Sequence, residues 1–250
     1  MIHYHDKSDS RRDRIRAGAG HRQPRIDYPL RDSGHPCPRL GRGTMNPTLV
    51  GIDVGGEQKG FHAVALRGDT FVDTNTHTNP AVIVDWCLEH KARVIAVDAP
   101  CRWSKDGSSR LAERELMNRG IWCFSSPTKY RAMHSDFYKW MLNGEKLYEC
   151  LESHQYRRFD GERTNGLMCI ETFPHAVVCA IAGPVSAKHK LEVRRKALQN
   201  RGYDISTLLN IDFVDAALCA LAADEFNKGN YQKFGNTEEG FIIVPAYHPE

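Results

Sequence analysis

The sequence predicts an α/β fold in which a mixed sheet is flanked by helices. Short apolar runs of strand length alternate with longer segments of helical periodicity, an order typical of α/β domains. The first two runs are joined by the turn Gly55-Gly56 and form a hairpin, so the sheet begins with an antiparallel pair. The later runs are separated by helices, which favours parallel pairing between them.

The predicted strands are short and are bounded by Gly, Pro, Asn or Asp residues. The first is a buried run that ends at an aspartate, and the last is an apolar run that begins with a glycine. In chain order the strands are predicted at 48–53, 60–66, 70–73, 93–97, 167–170 and 240–245.

The predicted helices begin or end at residues that favour those positions. Pro80 follows Asn79, and a proline fits the first turn of a helix. Gly202 ends another helix, and the last helix is rich in Ala and Leu. In chain order the helices are predicted at 80–90, 109–119, 135–154, 174–181, 187–200 and 212–227.

The excess positive charge of the chain lies at one end. The 250 residues carry 34 Lys and Arg against 31 Asp and Glu, a net charge of +3. Residues 1–44 hold ten of the basic and five of the acidic residues, so residues 45–250 are slightly acidic. Because residues 1–44 lack periodicity, we predict a disordered basic leader followed by one domain over 45–250. In one interpretation Met45 is the natural start, and in the other the leader is a basic tail that binds polyanions.

Composition excludes the membrane-spanning and disulfide-rich classes of protein. No run approaches the roughly 18 apolar residues of a spanning helix, and the start has no apolar signal segment. The eight cysteines form no C-x-x-C pair, and several lie inside apolar runs, as free thiols do. We therefore expect a cytoplasmic protein with no membrane partner.

Carboxylates follow several predicted strands and open the last predicted helix. Asp53, Asp98 and Glu171 end strands, while Asp212 and Asp215 lie at the start of the helix. Strand ends of an open α/β sheet converge on one crevice, so we expect these acids to lie close together. Crowded carboxylates repel one another unless protons or a divalent cation neutralise them, and oxygen ligands favour Mg²⁺ or Mn²⁺. The alternative is structural: turn and strand-end acids, with an N-cap and a first-turn acid on the helix.

Six segments, in order, resemble a known family. VGIDVGG at 50–56, followed by a glycine at 60, resembles the opening hairpin of ribonuclease-H-like enzymes. Five further segments resemble a domain family of unknown function that is described as a predicted nuclease. They are VDAP at 97–100, ETFP at 171–174, KHK at 188–190, DFVDAA at 212–217 and EGFIIVP at 239–245. The resemblance covers about residues 47–246.

The resemblance implies a ribonuclease-H-like mixed sheet with a mainly helical insertion at about 101–165, which we expect to cap the site. It also implies a putative nuclease that hydrolyses phosphodiesters with Mg²⁺ or Mn²⁺ held at a carboxylate-bound two-metal site. The predicted catalytic residues are Asp53, Asp98, Glu171 and Asp215, and the predicted metal ligands are Asp53, Asp98, Asp212 and Asp215.

A nucleic-acid partner requires positive charge beside the acids. Lys188, Lys190 and Arg194 lie in one predicted helix and are the candidate phosphate ligands, and Arg110 belongs to a second basic helix. Segment 122–131 interleaves aromatic and basic residues, a composition suited to base stacking and phosphate contact. Solvated helix faces and core aromatics are the alternative for these residues. No recognition motif predicts sequence-specific binding.

Two other functions are open at this point. A ribonuclease-H-like scaffold without activity would bind nucleic acid or a protein partner, and metal would not stabilise it. Residues 51–56 also resemble the phosphate hairpin of sugar kinases and actin-like ATPases, which would indicate ATP-dependent phosphoryl transfer. That function requires a second Gly-rich phosphate hairpin, which the sequence lacks.

Overall fold

A mixed sheet with helices on both faces forms the part of the chain that the structure, a computed structural model, describes: residues 46–185 and 188–246. This confirms the α/β class. The predicted leader over 1–44 lies outside the described residues. The eight described strands are β1 Thr48–Val54, β2 Phe61–Arg67, β3 Thr70–His77, β4 Ala92–Asp98, β5 Arg157–Arg158, β6 Met168–Glu171, β7 Tyr231–Asn236 and β8 Gly240–Pro245.

Every predicted helix has a counterpart among the described residues, with shifted boundaries. The predicted helix 187–200 begins later, at Lys190, and the predicted helix 135–154 is preceded by a short 3₁₀ turn at Asp136–Tyr138. The helices are α1 Pro80–Glu89, α2 Leu111–Asn118, α3 Lys129–Met133, α4 Lys139–Ser153, α5 Pro174–Ala182, α6 Lys190–Asn200 and α7 Ile211–Lys228.

The sequence does not predict β5 or β7, and it ends the third strand too early, at residue 73. β7 lies at the edge of the sheet and pairs only with β8, so most of its residues are half-buried and need no apolar alternation. β3 lies at the opposite edge and extends to His77 through residues that are also exposed or half-buried. β5 has two residues, too few for a periodic pattern.

The strand order brings the ends of three acid-bearing strands together. The order is β3-β2-β1-β4-β6-β8-β7, and β5 pairs with the start of β6. β1 is antiparallel to β2 and parallel to β4, and β4 is parallel to β6. The carboxyl ends of β1, β4 and β6 therefore lie at one edge of the sheet, where sites form in α/β folds.

Alternation along β1 sends its side chains into two different helical layers. Val50 packs in one core cluster with Leu147 of α4 and with residues of α1. Leu49 packs on the other face of the sheet with Cys219 of α7. Helices α5 and α6 in turn pack against α7. Asp53 is four residues after Leu49 and consequently lies on the α7 face.

Gly51 lies at the closest approach of β1 and α7, and we predict that Gly51→Ala destabilises the fold. A Cβ at Gly51 would overlap the backbone of Ala216 and Ala220, which cannot move independently of the helix. Overpacking of this kind costs roughly 2–3 kcal/mol, so the midpoint of urea unfolding should fall. Gly56→Ala is the matched control, because nothing lies within 4 Å of a Cβ there. Equal midpoints for the two variants would contradict the close approach.

The described helices and cysteines can be compared with the two classes of protein that composition excludes, the membrane-spanning and the disulfide-rich. No helix in the described ranges is long and apolar enough to cross a membrane. Seven cysteines lie in the described part of the chain, and all seven are free thiols.

Candidate metal centre

Asp53 and Asp98 lie near the ends of neighbouring parallel strands and face the same side of the sheet. The two residues are partners in the register of β1 and β4. On β4, Val94 and Ala96 alternate with the same phase as Asp98 and pack in one cluster with Cys219 of α7. The sheet therefore presents both carboxylates on the α7 face, beside the amino end of that helix.

The first turns of α7 contribute two further acids. Asn210 is the N-cap, and its side-chain oxygen accepts a hydrogen bond from the Phe213 backbone nitrogen at 3.0 Å. The alternative interpretation of Asp212 as the N-cap is therefore wrong, and its carboxylate makes other contacts. Asp215 is buried and forms an ion pair with Arg194 of α6.

His62 belongs to the same cluster, although sequence reasoning missed it. It lies directly opposite Asp53 in the β1–β2 hairpin, so both side chains are on one face. One ligand atom from each of Asp53, His62 and Asp212 lies within 4.8 Å of the others. The signal was available: His62 is a polar residue in an apolar strand, and hairpin pairing places it across from Asp53.

Lys59 places a cation between two of these carboxylates. Its Nζ donates to Asp212 Oδ1 at 2.7 Å and lies 3.6 Å from Asp53 Oδ2. The Lys59 side chain is 47% exposed, whereas that of Asp53 is 9% exposed. A half-exposed ammonium thus offsets part of the negative charge of Asp53 and Asp212.

Burial raises the pKa values of Asp53, Asp98 and Asp215 above the ordinary range of an aspartate. For Asp53, burial raises the pKa from 3.8 to about 7, opposed by the Lys59 charge and reinforced by Asp215. Burial also raises the pKa of Asp98 well above 3.8, and the charges of Asp53 and Asp215 add to this effect. Burial raises the pKa of Asp215 despite the neighbouring Arg194 charge. These conditions favour a bound proton or a bound cation.

The donor atoms fit a divalent cation. Asp53 Oδ2 and His62 Nδ1 are buried and have no hydrogen-bond partner among the described residues, which is costly unless something else binds them. Burial lowers the pKa of His62, which favours the neutral imidazole that ligates metals. Carboxylate oxygens suit Mg²⁺ and Mn²⁺, and the imidazole adds a ligand type typical of transition metals.

Glu171 lines the same pocket as Asp53, Asp98 and Asp215, but it reaches that pocket from the other face of the sheet. Its partner on β4 is Val97, one residue before Asp98, so its side chain points to the opposite face of the sheet. There Arg110 donates to both Glu171 oxygens, at 2.8 and 2.5 Å, and the Cys101 backbone nitrogen donates at 2.7 Å. The predicted catalytic role of Glu171 stays a prediction, and in this structure both carboxylate oxygens accept hydrogen bonds.

Of the candidate phosphate ligands, two lie at the site. Lys190 and Arg194 line a pocket of about 330 Å³ together with Asp53, Asp98 and Asp215. Lys188, which precedes α6, is exposed and does not line this pocket. Of the second basic helix, Arg110 borders the pocket but is buried in ion pairs, so it is not a solvated phosphate ligand.

One family matches the chain, and its description is "Protein of unknown function (DUF429)". The match extends over residues 51–240, which include every acid of the candidate centre as well as His62 and Lys59. No curated protein and no solved structure matches the chain. The function is therefore inferred from the fold and from the geometry of the site.

Proposed function

Because the chain belongs to the DUF429 family, whose description states no activity, we propose a function from its site. The proposed function is divalent-metal-dependent hydrolysis of phosphodiesters in nucleic acid. One observation carries it: three aspartates, Asp53, Asp98 and Asp215, line a pocket that also holds cations, and a buried oxygen of Asp53 has no hydrogen-bond partner in the described chain. Structural acids at turns and caps usually accept hydrogen bonds at their buried oxygens.

Asp53 is common to two groups of donors. On the sheet it is paired with Asp98 and lies near Asp215, whose charge raises its pKa. Across the hairpin it is grouped with His62 and Asp212. We propose that these residues would hold Mg²⁺ or Mn²⁺, with Asp53 belonging to both groups of donors. Bound ions would supply activation of a water and stabilisation of the leaving oxygen.

The cations of the chain have separate roles in this proposal. Lys190 is exposed at the pocket and attracts a phosphate. Arg194 is buried and forms an ion pair with Asp215. Its main role in the proposal is therefore to orient Asp215 as a metal ligand, and contact with a substrate is secondary. Lys59 donates to Asp212 in this structure, so it would compete with a cation for that carboxylate, and its half-exposed ammonium would supply positive charge beside a substrate.

The ribonuclease-H-like identity of the fold is part of the same proposal. It is supported by the antiparallel β3-β2-β1 edge, by the parallel β1–β4 pair and by the aspartate at the end of the first strand. The segment 101–165 contributes α2, α3 and α4 between β4 and β6, and its Phe124 and Trp140 line the pocket. We propose that this segment is an insertion that caps the site.

Cleavage assays test the proposal directly. The full chain would be incubated with single-stranded and duplex DNA and RNA in Mn²⁺, in Mg²⁺ and in EDTA. Metal-dependent cleavage that disappears in EDTA is the expected result. Metal binding without cleavage of any substrate would contradict the proposed activity. If metal does not bind either, the chain is the inactive binding module that the sequence leaves as an alternative.

Metal binding should also stabilise the protein. A cation present at 100 times its Kd stabilises by about 2.7 kcal/mol, which corresponds to a rise in Tm of about 5–10 °C for a domain of this size. Thermal unfolding with and without Mn²⁺ measures this shift, and Asp53→Asn should lose most of it. Asp85→Asn, an exposed α1 carboxylate, is the control that should keep it. A wild-type Tm that does not respond to Mn²⁺ or Mg²⁺ would contradict the metal site.

A further inference from the structure

The largest exposed apolar side chains of the described chain are concentrated in one short segment. Nine large apolar residues are exposed, and five of them lie between residues 122 and 137. We call these five the aromatic patch: Trp122 at 77% exposed, Phe124 at 63%, Tyr130 at 74%, Met133 at 58% and Phe137 at 58%. Contiguous exposed apolar groups mark a binding surface more often than single exposed ones do.

The local structure of residues 121–128 keeps Trp122 and Phe124 exposed. Residues 121–128 have no helix or strand, and their burial alternates, so that Trp122 and Phe124 project while Cys123 between them packs inward. Ser126 is fully buried, and its backbone nitrogen donates to Glu113 at 2.9 Å. The segment is therefore anchored with its aromatic rings outside.

Two exposed rings of the patch, Phe124 and Tyr130, pack against other aromatic rings. Phe124 meets Phe137 edge to face, with ring centroids 5.7 Å apart. Tyr130 lies against His134 with centroids 4.4 Å apart. These contacts restrict the rotation of the rings, which lowers the entropy cost of binding a flat ligand.

One residue of the aromatic patch also lines the pocket of the candidate metal centre. Phe124 lines the same pocket as Asp53 and Asp215, and it is also one of the exposed rings of the patch. A chain molecule with one phosphodiester at the acids would therefore pass over Phe124 and the neighbouring rings.

Positive charge accompanies the rings. Arg131 is exposed, lies over the Tyr138 ring at 5.8 Å and has no carboxylate partner among the described residues. At the pocket itself, Lys190 is also exposed. Alternating rings and cations suit a ligand that has both flat apolar groups and phosphates.

We propose that the aromatic patch binds unstacked bases of a single-stranded nucleic acid whose backbone reaches the acidic pocket. This inference rests on the proposed function, since the pocket supplies the phosphate end. A duplex is disfavoured because its bases are stacked on one another and cannot lie on Trp122 or Phe124. A purely apolar protein partner would leave Arg131 and Lys190 without a complement.

Binding without metal separates this proposal from cleavage. Fluorescence anisotropy in EDTA would compare the full chain on labelled single strands of DNA and of RNA, about ten nucleotides long, and on matching duplexes. Single strands should bind more tightly than duplexes. Trp122→Ala and Phe124→Ala should each weaken single-strand binding roughly fivefold to a hundredfold. Trp122→Phe, which keeps a ring, should retain most of the affinity.

Val82→Ala is the matched control, because Val82 is also exposed but lies on α1, outside the patch. Its affinity should equal that of the wild type. Equal affinity for duplex and single strand, or affinity unchanged in Trp122→Ala and Phe124→Ala, overturns the proposal even if cleavage occurs. Self-association that Trp122→Ala abolishes, with no oligonucleotide bound, would assign the patch to a second copy and also overturn it. Patch-dependent single-strand binding without cleavage would support it while contradicting the proposed activity.

Discussion

Replacing Asp53 with Asn is expected to lower metal-dependent cleavage about a thousandfold while stabilising the metal-free protein at neutral pH. Activity falls because the carboxylate common to both donor groups is lost. Stability rises because Asp53 is buried, and one of its oxygens has no hydrogen-bond partner in the described chain. Opposite effects on activity and stability are typical of a functional site whose residues destabilise the folded state.

The stability gain has a definite dependence on pH. Burial raises the pKa of Asp53 from 3.8 to about 7, so the folded state binds its proton more tightly than the unfolded state does. The folded protein therefore loses stability as the pH rises from about 4 to about 7, and Asn at this position removes that loss. Above pH 7 the variant should be more stable than the wild type by roughly 2–4 kcal/mol, and near pH 4 the difference should vanish.

Urea unfolding in EDTA at several pH values measures this difference, and single-turnover cleavage in Mn²⁺ measures the activity. Asp85→Asn removes a carboxylate that is exposed on α1, so it should change neither quantity. A less stable Asp53→Asn protein above pH 7 would show that Asp53 is a structural acid. Full cleavage activity in that variant would remove Asp53 from the metal site.

The sequence predicts the acids of the site better than it predicts their grouping. Asp53 and Asp98 are recognisable because each ends a buried strand, and parallel strands place such ends at one edge. The grouping depends on register, which apolar runs do not specify. Glu171 is paired with Val97 rather than with Asp98, and a shift of one residue sends a side chain to the other face.

Groups that act through distant contacts are hard to predict from sequence. Lys59 reaches Asp212 across 153 positions of the chain, and no local pattern indicates that contact. Arg110 reads as one member of a basic helix, yet it is 1% exposed. The edge strand β7 is not predicted, because its residues are too polar to show the apolar pattern of a strand. His62 is the exception, because the hairpin register alone brings it to Asp53.

Arg110→Met is expected to cause the largest loss of stability of any single substitution considered. Arg110 donates from Nε to Glu113 at 2.8 Å, and its other nitrogens bind Glu171 and the Glu239 carbonyl oxygen. Methionine fills a similar volume but leaves Glu113 and Glu171 as buried charges without a cation. Breaking a buried ion pair in this way costs about 3–5 kcal/mol, which urea unfolding in EDTA would measure.

Lys105→Met is the matched control, because the Lys105–Glu238 pair is 60% and 64% exposed at its two side chains. Exposed pairs contribute less than about 1 kcal/mol, so this variant should unfold close to the wild type. The double variant Arg110→Met with Glu171→Gln should recover part of the loss, because the neutral amide removes one unpaired charge. A loss in Arg110→Met no larger than in Lys105→Met would contradict the buried network. Since Arg110 also fixes the carboxylate of Glu171 at the pocket wall, cleavage should fall together with stability in Arg110→Met.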